Sequence, residues 1–283
     1  MPELPEVETI VQQLRAQGLE GQTICSVDVH WAPIIAPLSD KQFKHQLCNV
    51  SITQVGRNGK WMIFSLDSNQ TLLVHLRMAG SFSFLPSLYD RIVLHLSDKR
   101  SLYYRDTRKF GRWKLVDHPE EILDKLGPDA LTSHFSQSYF GTALSSRKRK
   151  IKALILDQSC VAGLGNIYAD EALWEAKIHP CHPANTLTDS QIKALFHAIK
   201  KVLKLGVKNR GTSLGDGKTN YRDLDGISGN NRGAVKAYGR AGQHCNRCQT
   251  PLEKITVAQR GTTFCSHCQK IDVAASTDSQ KIS

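Results

Sequence analysis

The segment Cys245-x2-Cys248-x16-Cys265-x2-Cys268 constrains what this chain can fold into more than any other feature. Two close cysteine pairs, each on a tight turn, suit one tetrahedral metal ion. The spacer between them is long enough for a hairpin that returns the second pair to the first. So short a segment cannot bury a hydrophobic core and needs another source of stability. A structural zinc contributes about 10–16 kcal/mol in small fingers. Two disulfides or four free thiols are the other uses of four cysteines. However, Cys25, Cys48, Cys160 and Cys181 are scattered without pattern, and the N-terminus does not read as a secretory signal, so an oxidising compartment is not indicated. The expectation is one structural zinc ion (Zn2+) on Cys245, Cys248, Cys265 and Cys268. His244, Arg247, Lys254, Arg260, His267 and Lys270 crowd around it. A basic zinc ribbon points first to nucleic acid and second to protein docking.

The charge balance agrees. Lys and Arg number 37 against 26 acidic residues, a net charge of +11, which favours a polyanionic partner such as DNA or RNA. A length of 283 residues suggests about two domains. No apolar run is long enough to span a membrane, and the acidic, helical N-terminus is unlike a secretory or transit segment. A cytoplasmic protein is expected.

The hydrophobic period changes along the chain. Residues 5–17 read as a helix: Pro5 suits its first position, Val7, Ile10, Val11 and Leu14 share one face, and Gly18 stops it. Short runs rich in β-branched and aromatic residues follow at 23–29, 51–57, 60–66, 71–77, 91–97 and 101–105, separated by turn residues such as Asn58-Gly59. Serial strands without intervening helices suggest an antiparallel sandwich or barrel. From about residue 119 the helical period takes over. Thr188 and Gln191 form a capping box ahead of the stripe Ile192, Leu195, Phe196, Ile199, Val202 and Leu203, which ends at Gly206. Two helical stretches in 151–177 are broken by Gly163-Leu164-Gly165-Asn166. Residues 209–233 read as a long loop of the kind that is usually functional or mobile, and the polar tail 271–283 as disordered.

The chain begins Met1-Pro2-Glu3-Leu4-Pro5-Glu6. Methionine before a small residue is normally removed, which leaves Pro2 with a free secondary amine. An α-amine has a pKa near 7.7–8.0, so much of it is neutral and nucleophilic near neutral pH. A secondary amine condensing with an aldehyde-like carbon forms a cationic iminium, an electron sink, and Glu3 can supply a proton beside it. The same residues also suit an ordinary helix start, with Glu3 and Glu6 at the positive end of the dipole.

Three motifs occur in order: Met-Pro-Glu-Leu-Pro-Glu-Val-Glu-Thr at the N-terminus, Gly163-Leu164-Gly165-Asn166-Ile167-Tyr168-Ala169 in the middle, and the four-cysteine finger. Over nearly all of residues 2–270 the chain resembles the formamidopyrimidine-DNA glycosylases, bifunctional repair enzymes that remove oxidised purines such as 8-oxoguanine. The resemblance implies an α+β multidomain fold. Residues 1–130 would be an N-terminal antiparallel β-sandwich with an N-terminal helix, and 131–242 a helix–two-turn–helix domain whose loop 209–233 covers the lesion. A zinc finger would follow at 243–270. It further implies a monomer acting on double-stranded DNA that contains oxidised purines or abasic sites, with no obligate protein partner.

By resemblance, Pro2 matches the nucleophile that attacks C1′, Glu3 the acid that protonates the sugar ring oxygen, Lys60 a phosphate-contacting lysine assigned to β-elimination, and Arg260 the finger arginine assigned to δ-elimination. On their residues alone Lys60 and Arg260 read equally as surface cations. A glycosylase must extrude its nucleotide at a cost of a few kcal/mol and fill the hole. Met78, Arg108 and Phe110 match the family's void-filling residues, and flexible Met, wedging Phe and hydrogen-bonding Arg suit that task. Read singly, Met78 and Phe110 are strand-end core residues. Asn166, at a turn between helices, suits phosphate binding. Lys148, in the basic run Arg147 to Lys150 with Lys152, and Lys109 match DNA-contact positions. Tyr89 stands where many relatives carry histidine. The Gly215-to-Asn220 portion of the loop departs from the family pattern, and its Gly-x-Gly-Lys-Thr lacks the P-loop spacing and strand. The sister family, endonuclease VIII, usually starts Pro-Glu-Gly-Pro-Glu; Leu4 and the Met78–Arg108–Phe110 set favour the purine enzyme. A catalytically dead DNA-binding zinc protein is opposed by Pro2 and Glu3 together.

Overall fold

The computed structural model describes residues 1–214 and 221–271. The chain forms two compact units. One comprises Met1–Lys125 and Gly206–Arg232, the other Leu126–Leu205 and the chain from Gly233 onward.

The first unit begins with α1 (Leu4–Ala16), whose stripe Val7, Ile10, Val11 and Leu14 is buried. Then come β1 (Thr23–Val29), α2 (Asp40–Leu47), β2 (Val50–Asn58), β3 (Trp61–Leu66), β4 (Thr71–His75), β5 (Gly80–Ser83), β6 (Asp90–Leu96), β7 (Ser101–Asp106) and β8 (Arg112–Val116). The strands run in the order β5-β7-β6-β1-β2-β3-β4-β8, every pair antiparallel. β1 and β2 share only the pairs Thr23↔Ser51 and Ile24↔Val50. At this short join the sheet folds into two halves, and aromatic rings fill the space between them. Phe82 on β5 meets Phe64 on β3 at 6.1 Å between centroids and Trp113 on β8 at 5.9 Å. This is the expected sandwich.

The strand expected over 71–77 ends at His75, because Arg77 takes a left-handed φ of 53°. Three elements carry too weak a period to be read from the sequence. β5 is Gly-Ser-Phe-Ser, paired to β7 but with only Phe82 as an apolar anchor. β8 mixes Arg and Lys into an edge strand. α2 is polar apart from buried Phe43 and Leu47 and depends on a Ser39–Gln42 capping box.

The second unit is helical: α3 (Glu120–Leu123) leads into it, followed by α4 (Gln137–Ser145), α5 (Ile151–Ile155), α6 (Asn166–Ala176) and α7 (Asp189–Lys208), which continues into the first unit. Phe135, Phe140, Leu154, Tyr168, Leu195 and Ile199 form its interior. Gly163, at φ 100°, turns the chain between α5 and α6. The finger carries a hairpin of β9 (Glu253–Val257) and β10 (Arg260–Phe264) around Ala258 and Gln259, both left-handed.

Candidate functional site

In the first unit, Pro2 is buried and lines a cavity of about 260 Å³. β5, Arg105 on β7, Met78, Tyr89 and the stretch Tyr221 to Asp223 complete the wall. Glu3, 2% exposed, is the N-cap of α1 and forms a capping box with Glu6. Glu6, 1% exposed, joins two segments distant in sequence. Its Oε2 accepts from Glu3 N at 2.8 Å and its Oε1 from Thr212 N at 2.7 Å. The approach is so close that a Cβ on Gly211, at φ 85°, would lie 2.8 Å from Glu6 Cγ. Farther along α1, Gln13 Oε1 accepts from Leu224 N at 3.1 Å and its amide donates to Asp225 Oδ2 at 2.8 Å. Helix α1 therefore ties the N-terminus to the chain on both sides of residues 215–220. Those residues, and with them Lys218, lie outside the described residues, as does the tail beyond 271.

Met78, Arg108 and Phe110 come together. Met78 and Phe110 are 44% and 47% exposed rather than core residues. Arg108 reaches Met78 Sδ at 3.4 Å and lies 4.9 Å from the Phe110 ring centroid. Buried Asp106 shapes the loop, accepting from Arg108 N at 3.0 Å and Gly111 N at 2.7 Å. Tyr104 packs so tightly between the two turns that a Cβ on Gly80 or Gly111 would overlap its hydroxyl. Lys109 places its ammonium 3.9 Å from the Trp31 ring centroid, a cation–π contact. Tyr89 is exposed in a loop with Leu85 and Leu88.

Lys60 follows the left-handed Gly59 in the β2–β3 turn and is 6% exposed, not a solvated turn lysine. Beside it, His75 is held neutral. Burial first, then the Arg77 and Lys60 charges, lower its pKa to about 3. Its Nδ1 accepts from Arg77 N at 3.0 Å, which puts any ring proton on Nε2. His75 thus props the turn leading to Met78. Its place in an apolar strand, beside basic residues in sequence and space, was the available signal.

In the second unit, Lys148 is exposed, and Asn166 is the first residue of α6. The Asn166 amide donates to Gly261 O at 3.0 Å. Arg260 is exposed at the start of β10. Lys152 does not join the surface basic run. It is 0% exposed, because α5 turns it inward onto Asp170 of α6, where Nζ meets Oδ1 at 2.6 Å. Burial raises the Asp170 pKa to about 6 against the lowering effect of Lys152. The sequence marks this pair only by placing Lys152 and Asp170 at core-facing positions of apolar helices. Glu171 accepts from the backbone N–H of Lys236, Ala237 and Tyr238 at 2.7–2.8 Å and fixes the chain entering the finger.

The sulfur atoms of Cys245, Cys248, Cys265 and Cys268 lie within 4.8 Å of one another. A tetrahedron of Zn–S bonds near 2.3 Å puts sulfurs about 3.8 Å apart, so the cluster fits zinc. Four thiolates fill the tetrahedron around a divalent cation and leave no open position for a catalytic water. Arg247 fastens the first cysteine pair to α6, its guanidinium 3.7 Å from the Trp174 ring centroid and donating to Glu175 O at 3.0 Å. Among the described residues, no helix is long and apolar enough to cross a membrane.

Comparisons with known proteins cover nearly all of the chain. The family models described as formamidopyrimidine-DNA glycosylase N-terminal domain, formamidopyrimidine-DNA glycosylase H2TH domain and zinc finger found in FPG and IleRS match residues 1–113, 126–217 and 242–271. The formamidopyrimidine-DNA glycosylase of Protochlamydia amoebophila is 46% identical over 275 residues, 95% of this chain and 100% of that one. That of Herpetosiphon aurantiacus is 43% identical, again over 95% and 100%. Among solved structures, the MutM (FPG) protein of Thermus thermophilus superposes with a TM-score of 0.87 at 38% identity, covering 96% of this chain and 100% of that one. The Lactococcus lactis Fpg in complex with DNA containing an abasic site gives 0.86 at 35%, covering 95% and 99%.

Proposed function

The chain belongs to the formamidopyrimidine-DNA glycosylase family, and we propose that it excises oxidised purines from duplex DNA through a Schiff base on Pro2, then nicks the strand by β,δ-elimination. It is a DNA glycosylase and abasic-site lyase of DNA repair with one structural zinc. The substrates are 8-oxoguanine and formamidopyrimidines. Residues 1–130 carry the chemistry, 131–242 and the finger 243–270 grip DNA, and the protein works as a cytoplasmic monomer.

The reading rests above all on Pro2, the residue behind a removable methionine, lining a cavity beside buried Glu3. The Pro2 nitrogen bonds to C1′, the base leaves with the electrons of the glycosidic bond, and the proton that the nitrogen sheds goes to the departing base, which restores the nitrogen lone pair. Glu3 gives a proton to the ring oxygen as the sugar opens, and the nitrogen lone pair closes to the iminium. Loss of a C2′ proton then expels the 3′ phosphate with help from Lys60, and a second elimination beside Arg260 expels the 5′ phosphate. Met78, Arg108 and Phe110 fill the space left by the extruded nucleotide, and their exposure and mutual contacts support this. Asn166 binds phosphate, and Lys109 and Lys148 contact the DNA. The Lactococcus lactis relatives in complex with Fapy-dG-containing and abasic-site DNA support the substrate class.

The test is incubation with duplexes carrying 8-oxoguanine, formamidopyrimidine, thymine glycol or an abasic site. Rapid cleavage at the two purine lesions and the abasic site, with thymine glycol slow, is expected. Preference for thymine glycol would assign the pyrimidine enzyme, and binding without cleavage a catalytically inactive protein.

A further inference from the structure

The mechanism above makes no use of Lys152, yet no described side chain in the second unit is more completely enclosed. Its Nζ donates to Asp170 Oδ1 at 2.6 Å, to Thr262 Oγ1 at 2.7 Å and to Gly261 O at 3.2 Å. Asp170 Oδ2 accepts from Thr263 N at 3.0 Å. Three successive residues of β10 are thus held by one ammonium–carboxylate pair rooted on α5 and α6. Thr262 carries the link one residue further, since its hydroxyl accepts from Lys152 and donates to Arg260 O at 3.1 Å.

Stability does not explain such a pair. Desolvating two charges costs several kcal/mol each, and an apolar pair of similar volume often stabilises as well or better. What the charged pair adds is direction: hydrogen bonds fix the rotation of β10 about its own axis, which apolar packing would leave softer. The guanidinium of Arg260 hangs on a long flexible stem, so the orientation of its backbone root decides where it can reach. Misplacing a catalytic group by 1 Å can cost about 10²-fold.

We propose that Lys152 and Asp170 are positioning residues for Arg260. Through Thr262 they fix the direction in which the finger hairpin presents that side chain, and so govern the second elimination but not the attack by Pro2. The inference rests on the assignment of Arg260 to that second step.

The experiment compares wild type with Thr262→Val, the double variant Lys152→Met/Asp170→Leu, and Arg260→Ala. Three quantities are measured on an 8-oxoguanine duplex in single turnover: the ratio of δ- to β-elimination product, the rate of borohydride trapping, and zinc content. Thr262→Val preserves shape and removes only the hydroxyl. The double variant preserves apolar volume and removes the tether. Both should hold one zinc and trap at the wild-type rate, while the δ:β ratio falls about tenfold in the double variant and about threefold in Thr262→Val, both within the loss a misplaced group causes. Wild-type ratios in both variants, with Arg260→Ala lowering the ratio, would overturn this inference and leave the proposed function standing. A loss of zinc or of trapping in step with the ratio, in Thr262→Val as well as the double variant, would reduce the pair to a structural role and also overturn it. Arg260→Ala with an unchanged ratio would remove the Arg260 assignment itself.

Discussion

Replacing His75 with asparagine should flatten the loss of stability on acidification. In the folded protein, burial and the Arg77 and Lys60 charges hold the His75 pKa at about 3, against an ordinary value of 6.5. Below pH 6.5 the unfolded chain therefore takes up a proton that the folded chain refuses. The contribution is fully present above that pH and is lost as pH falls toward 3. One pH unit is worth about 1.36 kcal/mol at most, so this single group removes about 2 kcal/mol between pH 8 and pH 5. Asparagine keeps an acceptor where Nδ1 receives Arg77 N and does not titrate. Urea unfolding of both proteins at pH 8 and pH 5 tests this, since every other titrating group is common to the two. Wild type should lose about 2 kcal/mol more than His75→Asn across that interval. Equal losses would show that the imidazole is not held neutral, and that the turn before Met78 is supported some other way.

Metal analysis should find one zinc per chain, and Cys265→Ala should abolish DNA binding by unfolding the finger; active protein without metal would contradict this. Arg108→Ala should bring together the rates for a lesion opposite C and opposite A while binding changes less, because a good bidentate base contact is worth about 1–3 kcal/mol and phosphate contacts are sequence-blind. A salt titration on an uncleavable abasic-site duplex should give a slope of log K against log salt of about −4 to −5, made shallower by about one unit in Lys60→Ala and in Arg260→Ala. Asn166→Ala removes no charge and should weaken binding with the slope intact.

What the amino-acid pattern revealed was local and periodic. The α1 stripe, the long runs of β1, β2, β3, β6 and β7, the α7 face behind Thr188, and the paired cysteines each announce themselves within a short window. β5, β8 and α2 did not, because each depends on a neighbour: β5 on pairing with β7, β8 on the edge beside β4, α2 on burying Phe43 and Leu47 alone. The site divides the same way. Pro2, Glu3 and the cysteines carry their chemistry in their own order along the chain. The bond from Glu6 to Thr212 spans 206 positions, and that from Lys152 to Thr262 spans 110. No window of sequence displays such pairs. A charged residue facing inward from an apolar helix is the only mark they leave, and Lys152 in Ile-Lys-Ala-Leu-Ile and Asp170 beside Ala169 both bear it.

The most direct test of the account is covalent trapping. Protein processed to begin at Pro2 is incubated with an 8-oxoguanine duplex and borohydride, and the reduced adduct is mapped by peptide mass spectrometry. The account predicts one DNA adduct on the nitrogen of Pro2, and none with protein that retains Met1. An adduct on Lys60, or full activity with Met1 in place, would contradict it.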